Sequence, residues 1–159
     1  MQTYQQMKAH IDHVIARERE ALFALNGWIF DKHELSCQEY ETSHRVVDFL
    51  RDKGYTVEYP FYGIDTAFFA AMPGRQPRGR KIAILTEYDA LPDVGHACGH
   101  CLETVPHDVA IHQREFAAYM TTERAYHSLQ TGAKIIAYHC ARIFSDGELF
   151  RRMKEDFDR

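Results

Sequence analysis

The chain has 159 residues, enough for one domain or one domain with a long helical arm, and its 45% hydrophobic content excludes global disorder. Ten Phe and nine Tyr supply the large side chains an ordinary core is built from. A formal net charge of −4, with no clustered basic face, excludes a nucleic-acid partner.

In chain order, Met7, Ile11, Val14, Ile15, Leu22, Leu25 and Ile29 recur at three- and four-residue intervals and predict a long amphipathic helix. Ser36 is the expected cap of a second helix, with Val46, Val47 and Leu50 on its apolar side and Gly54 as its left-handed stop. Residues 55–59 and 67–71 read as short strands, and residues 81–85 (Lys-Ile-Ala-Ile-Leu) as a strand buried on both faces. Arg75, Arg78, Arg80 and Lys81 lie among prolines and glycines, which suits a solvated loop entering that strand. From Glu87 to Val109 no period is sustained, so irregular backbone is expected beyond the third strand, where open α/β sheets tend to bind ligands.

Helix returns in the last third. Leu129, Ala133, Ile136, Cys140 and Ile143 form an apolar stripe, and Ser145 with Glu148 forms a capping-box pattern ahead of Leu149, Met153 and Phe157. The fold class predicted is α/β: a reduced layered sandwich, a small sheet with long N- and C-terminal helices. The polar Met1–Gln6 stretch is unlike a signal peptide, and no apolar run is long enough to span a bilayer. The expectation is a cytoplasmic protein with no membrane partner, whose cysteines are thiols or metal ligands.

The densest chemistry is His96-Ala97-Cys98-Gly99-His100-Cys101. Thiolate and imidazole are both good zinc ligands, and Gly95 and Gly99 permit the turns that would bring them together. Alternate residues of an extended segment share a face, so Cys98 and His100 are placed to grip one ion, with His96 on the same side. Asp89 is placed to orient an imidazole from behind. Spacing alone leaves a second reading open, a loop that merely contains several His and Cys.

The run Ile82-Ala83-Ile84-Leu85-Thr86-Glu87-Tyr88-Asp89-Ala90-Leu91-Pro92, followed by Gly95-His96-Ala97-Cys98-Gly99-His100, closely resembles a signature of the family-20 metallopeptidases. That group includes aminoacylases, auxin-conjugate amidohydrolases and aminobenzoyl-glutamate hydrolases. Glu39 and Glu41 ahead of a helix ending at Lys53-Gly54-Tyr55, then Thr66-Ala67-Phe68, resemble the family's usual entry. The resemblance implies that Cys98 and His100 bind one or two divalent metals, zinc or manganese. It also makes His112, in His112-Gln113-Arg114-Glu115-Phe116, look like a further ligand. A surface histidine beside a helix start is the alternative for His112, and His107 is a substitute for it.

The resemblance falls in two pieces of a single shortened catalytic-type domain, residues 1–102 and 104–159. Members of the family carry between them a Glu-Glu pair, another metal-binding His and a lid domain, which have no room here. The implied function is a metal-dependent hydrolase of amide bonds in small N-acyl amino acids or dipeptides, without a clear counterpart of the family's proton-transferring glutamate. Glu103 and Glu87 are the candidate bases, with a junction residue and a loop-building residue as the alternatives. The second function read from the sequence is a non-catalytic metal-binding remnant that forms homo-oligomers through exposed sheet edges.

Overall fold

The chain runs through α1 (Tyr4–Lys32), α2 (Tyr40–Asp52), β1 (Thr56–Glu58), β2 (Phe69–Ala71), α3 (Arg114–Tyr119), α4 (Glu123–Ser145) and α5 (Gly147–Phe157). These elements are seen in a computed structural model that describes residues 3–74, 80–92, 105–106 and 108–158. The α/β class holds, with a small antiparallel sheet and long helices toward both ends.

Thr3 and Gln6 begin α1 with reciprocal bonds: the Gln6 N–H donates to the Thr3 hydroxyl at 3.2 Å, and the Thr3 N–H donates to the Gln6 side chain at 2.9 Å. The helix ends where His33 takes a left-handed φ of 53°. Against it, antiparallel, lies α4, capped by the Thr122 hydroxyl, which accepts from the Ala125 N–H at 3.3 Å. Phe23 stacks on Tyr126 with ring centroids 4.2 Å apart, and eleven residues earlier in α1 Tyr138 donates to Asp12 at 2.5 Å. That bond, with the ammonium of Lys134 3.1 Å away, holds the Asp12 carboxyl below its ordinary range. Ile15 is buried in this pairing, and Ala125, Ser128 and Ala141 are the buried positions of α4. Small residues there allow close helix approach. Ile136 of the predicted stripe is instead 43% exposed, because the contact face is centred on those small residues.

The stop of α2 follows the sequence. The Tyr55 N–H donates to the Leu50 carbonyl at 3.1 Å and the Gly54 N–H to that of Arg51 at 2.9 Å, the paired bonds of a Schellman end, with Gly54 at φ 88°. A Cβ at Gly54 would meet nothing within 4 Å, so the left-handed backbone alone sets the cost of a side chain. Gly54→Ala is expected to lose about 1 kcal/mol, read as a lower urea midpoint at unchanged slope.

Two caps differ from expectation. Ser36 sits in a turn, and α2 begins at Glu39 without a side-chain cap of its own. The Glu34 carboxylate takes the work instead. At α5 the cap is Asp146, which accepts from the Leu149 N–H at 2.9 Å, while Ser145 is the last residue of α4 and bonds back to the Arg142 carbonyl. Both Ser and Asp are good caps, and the sequence pattern does not say which of two neighbours turns out of the helix.

The sheet pairs Thr56 with Ala71, Val57 with Ala70 and Glu58 with Phe69. Phe61 stacks over Phe69, with centroids 5.5 Å apart, and closes the connection. The predicted third strand, residues 81–85, is not a strand: it pairs with no described residue, and Ile84 and Leu85 are 57% and 96% exposed. A strand buried on both faces needs neighbours on either side and helices above and below. Among the described residues no strand lies beside it.

Candidate functional site

Glu34 and Glu39 organise the elbow between α1 and α2. The two Glu34 oxygens accept from the N–H groups of Glu41 at 2.9 Å and Thr42 at 2.6 Å, the donors that a helix start leaves without partners. Burial pushes the Glu34 carboxyl up, but bonds from Thr42 and the Glu41 and Thr42 backbone, with Lys32 nearby, outweigh it and leave the group below its usual range. Glu39 is buried. One of its oxygens accepts from the Cys37 N–H at 3.0 Å, and the other has no hydrogen-bond partner among the described residues.

The run from Glu87 to Pro92 lies against this elbow. The Ala90 N–H donates to the Glu34 carbonyl at 2.7 Å, Ala90 bridges Leu35 in parallel, and Ala90 is buried. The Tyr88 phenol donates to the Thr66 carbonyl, and its ring stacks on Phe68 at 5.9 Å. Desolvation, then the nearby Glu39, Tyr59 and Glu34, push this phenol up to about 12 from 10.0. A raised acid contributes stability below its unfolded value and loses it as pH rises through the folded one. The Tyr88 contribution is therefore complete below about pH 10 and gone above about pH 12. Tyr138, whose phenol bonds to Asp12, is also pushed up to about 12, so titration of absorbance at 295 nm should show two late phenols, of which Tyr88→Phe removes one; a late step of unchanged amplitude in that variant would overturn the Tyr88 assignment.

On the other side of the elbow, α3 buries Phe116 and Ala117 against Phe30 near the end of α1, together with Val105, Val109 and Met120. Leu91-Pro92 and Val105-Pro106 are thus the described residues on either side of the histidine- and cysteine-containing segment. Ala90 on one side and Val105 on the other are both tied to the last turn of α1 or the elbow that follows it. The distant parts of the chain meet there.

The predicted site residues divide accordingly. Asp89 is half-buried between Tyr88 and Ala90, while Glu87 is exposed. His112 is exposed with a left-handed φ of 63°, two residues before α3. Cys98, His100, His96, Glu103 and His107 lie outside the described residues. Among the described residues no group of three His, Cys, Asp or Glu side chains converges as a metal cage. Sequence reasoning missed Glu34; its signal was an acid seven residues before the first free N–H of a helix. A surface hollow of about 350 Å³ lined by Trp28, Tyr40, Glu41, His44, Arg45 and Asp48 contains none of the predicted residues. Among the described residues no helix is long and apolar enough to cross a membrane.

Comparison with known proteins gives partial matches. Over 95 residues, 52% of the chain, it is 37% identical to the Xaa-Arg dipeptidase of Homo sapiens, and over 90 residues 36% identical to that of Mus musculus. Over 86 residues, 45% of the chain, it is 36% identical to thermostable carboxypeptidase 2 of Saccharolobus solfataricus. The chain spans 21% of the length of each of these relatives. No protein-family model matches it, and no solved structure matches it significantly.

Proposed function

We propose that the chain belongs to the family-20 metallopeptidases and forms a single shortened catalytic-type domain that binds zinc or manganese and acts on small dipeptides or N-acyl amino acids. The observation that carries the reading is the 36–37% identity, over about half of the chain, to proteins named dipeptidase and carboxypeptidase. An Xaa-Arg dipeptide is the first substrate to try, from the name of two of those relatives.

A thiolate with two imidazoles is a donor set that suits zinc, and Cys98, His100 and His112 are the residues assigned to hold it. Asp89 and His96 are assigned the supporting role, in which a carboxylate or a second imidazole steadies a ligand ring. Such a metal, when bound, polarises the scissile carbonyl and makes a water acidic enough to attack it. The chain's own part is positional. The bond from Ala90 to Glu34, the Tyr88 phenol on Thr66 and the Phe116 cluster fix the flanks of the ligand segment to one end of α1. Of the candidate bases, Glu87 is exposed and Glu103 lies outside the described residues; turnover by Glu87→Gln and Glu103→Gln tests each.

Metal content and turnover test the reading together. The purified chain should retain zinc or manganese through dialysis and release arginine from an Xaa-Arg dipeptide. Cys98→Ala should weaken zinc by at least the ~10–100-fold that loss of a supporting contact alone produces, and His112→Ala should do the same. Metal retained by Cys98→Ala would remove that assignment. Metal without turnover would overturn the enzyme reading and make the chain the non-catalytic metal-binding remnant.

A further inference from the structure

Residues 81–87, Lys-Ile-Ala-Ile-Leu-Thr-Glu, are held at both ends and, among the described residues, unpaired between. At one end the Arg80 guanidinium donates to the carbonyls of Ile143 at 2.5 Å, Phe144 at 3.1 Å and Asp146 at 3.3 Å, and lies over the Phe150 ring 4.7 Å from its centroid. At the other end Tyr88 is bonded to Thr66, and Ala90 to Glu34. Among the described residues none bonds to the backbone of 81–87. Ile84 is 57% exposed and Leu85 96% exposed. An anchored segment with alternating β-branched residues and free backbone groups is a template for another strand.

The sequence of the segment selects its partner. In an antiparallel pair of two copies related by a twofold axis at Ile84, Lys81 lies opposite Glu87 at each end, Ile82 opposite Thr86, Ala83 opposite Leu85, and Ile84 opposite itself. Opposite charges across a strand pair stabilise it, and apolar residues match apolar ones in the centre. Shifting the axis by one residue sets Lys81 against Leu85 or Glu87 against Ala83. Within residues 81–87 only the twofold at Ile84 sets a lysine opposite a glutamate.

We propose that residues 81–87 form an isologous antiparallel strand pair between two copies of this chain, centred on Ile84. The inference does not rest on the peptidase reading. Pairing satisfies the free backbone groups and covers Ile84 and Leu85. The fixed ends reduce the ordering that the segment must undergo on association.

Sedimentation and site-specific cross-linking test it in the full chain. The wild type should sediment as a concentration-dependent dimer. Lys81→Glu and Glu87→Lys should each weaken dimerisation about 5-fold or more, since both ends of the pair then carry like charges, and the double exchange should restore it. Ile84→Cys should cross-link to itself, identified as an 84–84 peptide by mass spectrometry, because residues on the axis approach within the range a disulfide spans. Circular dichroism of each variant separates lost pairing from lost folding. A chain that stays monomeric with native helix content overturns the proposal. A dimer that is indifferent to both charge reversals and gives no 84–84 peptide overturns it equally.

Discussion

Phe116→Ala should destabilise the chain by about 3–5 kcal/mol, the range for removing a buried aromatic ring. Phe116 is 3% exposed and, with Ala117, is the centre of the cluster that Phe30, Val105, Val109 and Met120 complete. The ring is what joins α3 to Phe30 at the end of α1. Phe116→Leu should cost much less, because most of the volume remains. Urea unfolding followed by circular dichroism measures both. A loss below about 1 kcal/mol for alanine would show that α3 contributes little to the fold. If the alanine variant stays folded, its zinc affinity should fall as well, since Val105 borders the ligand segment.

Glu34→Ala comes next in size, at about 1–2 kcal/mol, the cost of leaving charge-assisted bonds unmade at a partly exposed site. Two first-turn donors of α2 lose their acceptor, and the one on Thr42 belongs to a residue only 1% exposed. Glu34→Gln keeps an acceptor and should recover part of the loss. The pH dependence has a definite sign. The carboxyl is held below its unfolded value of 4.5, so its contribution is present above that value and is lost as pH falls through the folded one. Denaturant midpoints of wild type and Glu34→Ala should therefore converge on acidification from pH 6 toward pH 3. A gap that stays constant through that range would show that the variant loses packing rather than charge.

The helices were legible because their signals are local. Apolar spacing in α1 and in the last third and the glycine after α2 act within a turn or two of the chain. What escaped was every contact whose partner lies far along the sequence. The Arg80 guanidinium reads as part of a solvated basic loop, yet it gathers carbonyls from the α4–α5 junction. Glu34 reads as an ordinary acid after a helix, yet it caps the next one. For the site, the His-Ala-Cys-Gly-His run is plain in the sequence as ligand chemistry; Cys98 and His100 lie outside the described residues, so their convergence with His112 is a matter for the metal experiment.

Residues 81–85 divide the two levels of information. By itself the amino-acid order determined that this stretch is apolar with a strand-like composition, and that long helices run through α1 and α4, because backbone propensity and side-chain period are properties of neighbouring residues. Whether the stretch is buried was decided only in three dimensions. Burial requires other elements on both sides, and the folded chain sets α1 against α4 and α3 against Phe30 while leaving Ile84 and Leu85 in water.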